Sequence, residues 1–235
     1  MTVIKNTNTV SDMLRTAGEF RLKDRWSAIT HLIGFLASIV AMPLLMLRGY
    51  LWQNSTAAMV CYMIYMLSML LLYGASASYH SFNISEKANL ILKKIDHLSI
   101  FILIAGTYTP VCVIALAGMK GWILLAAVWS IAVIGIVFKL FFVTCPKWVS
   151  SVIYTAMGWV CIFCLPQLLQ SLSAGAFFWL LAGGIMYSIG AVFYAIKPKW
   201  LSHPGFGNHE VFHCFVLAGS LCHFIVVCGF LTMLG

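Results

Sequence analysis

The sequence predicts an all-α membrane protein, a seven-transmembrane-helix bundle with its N-terminus in the cytoplasm and its C-terminus outside. Three observations predict it. Hydrophobic residues make up 62% of the 235-residue chain and charged residues only 9%, whereas a soluble domain carries roughly a quarter charged residues. The apolar residues fall into runs long enough to cross a bilayer, for which about 20 residues suffice. The positive charges collect at alternate connections between those runs.

Residues 1–25 form a polar N-terminal segment that includes Asp12, Arg15, Glu19, Arg21, Lys23 and Arg25. This segment lacks the short apolar core and small-residue cleavage site of a secretory signal peptide, so the first span itself is expected to direct insertion. Residues 26–235 form one transmembrane domain. The first span runs over about 27–47, and the second, about 57–79, opens after Asn54-Ser55. The third, about 95–117, follows the break Ser85-Glu86-Lys87. The fourth and fifth cover about 121–142 and 149–169. The sixth, about 175–196, follows an uncharged stretch near Ser171 and Ser173, and the seventh, about 209–233, follows Lys197-Pro198-Lys199. Helices are required because irregular backbone facing lipid would leave peptide groups unsatisfied. Glycine pairs such as Gly183-Gly184 are tolerated in such helices and often mark close contacts.

Twelve of the fourteen Lys and Arg residues lie on one side of this arrangement: the N-terminal segment, Lys87, Lys93 and Lys94, Lys139 and Lys147, and Lys197 and Lys199. Only Arg48 and Lys120 fall on the other. The positive-inside rule makes the rich side cytoplasmic, and six or eight spans would scramble the pattern. The formal net charge of +8 is thus a matter of topology. No aromatic-interleaved basic patch accompanies it, and nucleic acid is not an expected partner. Eight cysteines lie almost all inside apolar runs. The CxxC formed by Cys161 and Cys164 is read as packing, since cysteine within a span behaves as a small apolar residue.

All six acidic residues and six of the seven histidines lie toward the cytoplasmic side. His80 ends the second span, Asp96 and His97 open the third, His209, Glu210 and His213 open the seventh, and His31 lies about one turn into the first. For His97 and His203, solvation at the interface is sufficient explanation. The convergent set His80, Asp96, His209 and His213 calls for more, because ionisable groups at membrane depth are costly and usually face the bundle interior. His209 and His213 project from one helix face with about 6 Å of rise between them. Two imidazoles so spaced, with His80 as a third, fit a zinc ion with one coordination position left for water, the pattern of catalytic zinc. Asp96 is the candidate general base, and Ser76, one turn before His80, is the candidate hydrogen-bond donor to water or a substrate carbonyl. A rival reading takes His209-Glu210-Val211-Phe212-His213 as HExxH with Glu210 as base. However, an acidic residue is also expected in the first turn of a helix, and His223 lies about 15 Å beyond His213, too far to complete such a site.

These residues together resemble the hemolysin III branch of the progestin and adipoQ receptor superfamily, which is related to the alkaline ceramidases. The resemblance rests on Ala28-Ile29-Thr30-His31-Leu32-Ile33-Gly34, the SxxxH of Ser76 and His80, Asp96-His97 leading into Ile104-Ala105-Gly106-Thr107-Tyr108-Thr109-Pro110, and His209-Glu210-Val211-Phe212-His213 with His223 beyond. It covers about residues 25–235 and departs where the family is usually acidic with an asparagine, here Lys23-Asp24-Arg25-Trp26-Ser27. It implies zinc on His80, His209 and His213, with Asp96 near the zinc-bound water, and a cytoplasmic N-terminus. The position of Glu210 is glutamine in some members, which the resemblance sets against an obligatory base there. The expected function is a zinc-dependent hydrolase of a lipid amide or ester in membrane lipid homeostasis, with membrane lipids as partners and a lipid substrate in the bundle cavity. The alternatives are a non-catalytic regulator or receptor-like protein with structural zinc, and a pore-forming cytolysin. The expected location is the bacterial inner (plasma) membrane. The sequence does not fix the oligomeric state.

Overall fold

A computed structural model of the chain describes residues 22–201, 203 and 205–235. Most of the polar N-terminal segment, residues 1–21, lies outside the described residues, as do Ser202 and Pro204. The described chain is helical almost throughout. Its α-helices are α1 (Arg25–Leu51), α2 (Thr56–Ser81), α3 (Glu86–Pro110), α4 (Gly118–Phe141), α5 (Lys147–Gly158), α6 (Leu165–Ser171), α7 (Ala174–Ile196) and α8 (Asn208–Gly229). A π-helical turn, Val111–Leu116, prolongs α3, and a 3-10 turn, Val160–Cys164, joins α5 to α6. Seven of the resulting rods are long and apolar enough to cross a membrane.

The polar breaks between spans are helix caps. Ser55, Ser85 and Ser173 each accept a hydrogen bond from the backbone N–H three residues on, satisfying one of the free donors at the starts of α2, α3 and α7. One boundary differs from expectation. The third span starts at Glu86 rather than near residue 95, because charge ends an apolar run without ending a helix. Ser85 and Glu86 start α3, and Lys87, Lys93 and Lys94 ride on it. Asp96 therefore stands ten residues, about 15 Å, into a helix rather than at its opening.

The helices close a ring. α1 packs on α2, α2 on α3, α5 on α3 and α7, α7 on α8, and α8 returns to α1, while α4 lies outside against α3. The π turn carries the largest buried share of the chain together with α3, and the lipid-facing sides of α1 and α4 expose Leu36, Val40, Leu44, Ile123 and Ile134. α2 supplies the centre of the core, with Tyr62, Tyr65, Met66 and Tyr73 buried against α8 and the π turn. Glycines set the closest approaches: a Cβ at Gly106 would lie 2.3 Å from Ser68 Oγ on α2, and one at Gly135 would lie 2.1 Å from the buried ring of Phe101 on α3.

Lys139, expected at a water-facing connection, is fully buried. Its Nζ donates to Ser150 Oγ at 2.6 Å and to Cys145 Sγ at 3.0 Å, tying the end of α4 to the start of α5. Burial pushes the Cys145 thiol up, but hydrogen bonds with Lys139 and Ser150 and the lysine's charge outweigh it and hold the thiol below its ordinary value. All eight cysteines, Cys161 and Cys164 included, are free.

Gly135→Ala is expected to destabilise the bundle by about 1–3 kcal/mol, because the ring it strikes has nowhere to move. Gly158→Ala, whose Cβ meets nothing within 4 Å, should leave stability unchanged. Thermal unfolding in detergent distinguishes the two, and equal midpoints would refute this account of helix packing.

Candidate metal centre

The last turn of α2 and the first two turns of α8 meet at the end of the bundle where residues 22–24 lie. His80 stands in that last turn, and His209 and His213 share one face of α8. One ring nitrogen from each of the three lies within 4.8 Å of the others, forming a group that could hold a metal ion. His80 Nε2 and His209 Nε2 are 3.1 Å apart. His80 and His213 are buried at 3% and 2% exposure and His209 is half-buried, so the group is largely sheltered from bulk water.

The approach to α1 and its first two turns surround this group without contributing to it. Asp24 Oδ2 accepts from His80 Nδ1 at 2.9 Å, which leaves the Nε2 lone pair facing the cluster. The Asp24 N–H donates to the His80 carbonyl at 2.9 Å, and Lys23 caps the neighbouring carbonyls, its N–H on Ser81 and its Nζ on Tyr79. Thr30 Oγ1 lies 3.0 Å from the carbonyls of both Trp26 and Ser27 and 3.1 Å from His213 Nδ1. With the hydroxyl proton on a carbonyl, Thr30 accepts from His213 Nδ1 and the Nε2 lone pair is free. His31 lies flat on His213 with ring centroids 3.5 Å apart. Asp24, Ser27, Thr30 and His31 recur at helical spacing, so a single face of the chain orients ligands from two other helices.

The remaining residues singled out in the sequence separate into distinct roles. Ser76 Oγ is buried and has no hydrogen-bond partner. Asp96 is buried and not among the groups within the 4.8 Å cluster; its Oδ2 lies 3.6 Å from His97 Nδ1. His97 is half-buried and donates to the Lys93 carbonyl at 2.8 Å, a local structural tie rather than simple interfacial solvation. His203 is exposed. Ser27 Oγ donates to Glu210 Oε1 and the Gly207 N–H to its Oε2, at 2.8 Å for the latter. One carboxylate oxygen thus caps the start of α8 and the other ties it to α1, so both oxygens of the HExxH glutamate are engaged.

Ser76, Asp96, His209 and His213 line one cavity of about 400 Å³ enclosed by the ring of helices. From the histidines it runs past Tyr187 and His223 to the apolar walls formed by Leu103, Val111 and Leu168. A metal held by the triad would therefore face a long, mostly apolar chamber with a carboxylate and an unpaired hydroxyl in its wall.

Asp24→Ala is expected to weaken binding of an added divalent transition metal about 10–100-fold in chelator competition, with helix content unchanged. Unchanged affinity would show that the carboxylate serves the end of α2 alone.

Comparison with known proteins agrees with this architecture. The family described as haemolysin-III related matches residues 21–224. The chain is 41% identical over 201 residues to Hemolysin-3 of Bacillus cereus, covering 86% of this chain and 88% of that protein. It is 42% identical over 205 residues to the Hemolysin-3 homolog of Bacillus subtilis (strain 168), covering 86% and 91%. The seven apolar helices and these bacterial relatives make it a multi-pass protein of the bacterial inner (plasma) membrane. The chain belongs to the haemolysin-III-related family.

Proposed function

We propose that the protein is a zinc-dependent hydrolase of a lipid amide or ester, working at the cytoplasmic headgroup level of the membrane and serving membrane lipid homeostasis. The observation that carries this reading is the largely buried three-histidine group at an apolar cavity of about 400 Å³. The donor set suits zinc, which takes imidazole nitrogens at 2.0–2.1 Å. Two nitrogens at that distance from a tetrahedral ion stand roughly 3.3 Å apart, close to the 3.1 Å between His80 Nε2 and His209 Nε2. The positive-inside rule assigns this end of the bundle to the cytoplasm and the C-terminus to the outside.

Zinc on the three imidazoles would supply a Lewis acid for a carbonyl and a lowered pKa for water beside it. Every other part of the reaction belongs to the chain. The apolar walls seat the hydrocarbon of the lipid, so its amide or ester carbonyl is drawn to the histidine end. Ser76 Oγ, unpaired in the wall, donates to the carbonyl oxygen as charge develops on it. Asp96 accepts the proton released as water adds and returns it to the leaving amine or alcohol. His97 keeps its Nδ1 proton on the Lys93 carbonyl, 3.6 Å from Asp96 Oδ2.

Elemental mass spectrometry of detergent-purified protein supplied with zinc should find about one zinc per chain. That zinc should be lost in His80→Ala and in the His209→Ala/His213→Ala double variant. A folded wild-type protein without zinc would sink the hydrolase reading. Asp96→Ala should retain zinc and lose roughly 10²–10⁴-fold in hydrolysis of a fluorogenic acyl amide or ester. Full activity in that variant would remove Asp96 from the mechanism.

A further inference from the structure

Another histidine faces the same cavity far from the metal centre. His223 follows His213 by ten residues on α8, about 15 Å along the axis. In a hydrocarbon layer about 30 Å thick, that places it near mid-depth. The side chain lines the cavity and is 8% exposed, and its Nδ1 has no hydrogen-bond partner. The ring lies nearly parallel to Tyr187, centroids 5.4 Å apart, and the bundle leaves room for it, since a Cβ at Gly183 would stand 2.7 Å from its Nε2.

Several polar groups of the same helices are already paired with one another. The hydroxyls of Tyr73 and Tyr187 meet at Ser220 Oγ, at 2.6 and 2.9 Å, and Trp159 Nε1 donates to Ser188 Oγ at 2.9 Å. The imidazole is left with hydrogen-bonding capacity to spare. A polar nitrogen unpaired at this depth is costly, and the cost is offset if whatever fills the cavity brings the partner.

We infer that His223 recognises a hydroxyl group carried part-way along the hydrocarbon chain of a lipid in the cavity, about 15 Å from the metal centre. A hydroxyl can both donate and accept, so it satisfies whichever ring nitrogen it meets in either tautomer. It brings no charge to mid-depth, where a carboxylate or phosphate would be unfavourable. A plain hydrocarbon would leave the nitrogen unpaired. The site therefore distinguishes hydroxylated from plain chains, and it rests on the reading of the cavity as a lipid site.

The test is a binding measurement on the full-length protein in detergent. A fluorescent fatty-acid analogue is displaced by two fatty acids of equal length, one plain and one with a mid-chain hydroxyl. The hydroxylated acid should bind wild type roughly tenfold more tightly than the plain one. That preference should vanish in His223→Leu and in Gly183→Ala, which crowds the ring without removing it. Equal displacement in wild type would overturn the inference and leave water as the partner of His223. An undiminished preference in both variants would overturn it as well. A wild-type protein that binds no acyl probe would instead bring down the lipid reading of the cavity, and this inference with it.

Discussion

Two imidazole nitrogens 3.1 Å apart, sheltered from bulk water and drawn from two different helices, are the constraint on which the rest of this structure depends. Lone pairs pointed at each other in an apolar bundle repel unless a proton or a cation lies between them. Here the hydrogen bonds of the outer atoms direct that electron density inward. Asp24 takes the Nδ1 proton of His80, and Thr30, with its own proton on a backbone carbonyl, is placed to take that of His213. A single proton can bridge one pair of nitrogens, whereas a metal ion serves three. The arrangement thus resembles a ligand set held ready.

That preparation requires α2 and α8 to be fixed relative to each other, and α1 does the fixing. Its approach caps the end of α2 through Lys23 and Asp24, its first turn holds Glu210 at the start of α8 through Ser27, and His31 stacks on His213. Deeper in the membrane, Tyr73 on α2 donates to Ser220 on α8, a second tie between the same helices. The lysine-rich end, the caps and the histidines are therefore parts of one construction. Lipid-facing leucines and isoleucines elsewhere serve only to keep it in the bilayer.

Much of this was legible in the sequence. Apolar length gave the spans, and the polar breaks at Ser55 and Ser173 fell where α2 and α7 begin, because a hydroxyl there has a backbone donor to satisfy. The four-residue spacing of His209 and His213 was readable because helical geometry makes such residues neighbours whatever surrounds them. The start of α3 was not, since hydropathy marks where lipid ends and says little about where a helix does. The part played by Asp24 was hidden for a related reason. A carboxylate among Lys23, Arg25 and Trp26 reads as an ordinary interfacial charge, and only its spacing to Ser27, Thr30 and His31 hinted that it continues a helix face. Asp96 read as a member of the convergent set, yet its nearest charged or imidazole neighbour is His97, because one helix carries both and the triad belongs to two others.

The account stands or falls on whether three imidazoles, and nothing softer, surround the metal. Eight free cysteines in the chain make this a sharp question. X-ray absorption at the zinc edge of the purified, zinc-loaded protein answers it most directly. The account predicts a first shell of nitrogen and oxygen alone at about 2.0–2.1 Å, with the outer scattering of three imidazole rings. A sulfur neighbour at about 2.3 Å, or fewer than three rings, would contradict it.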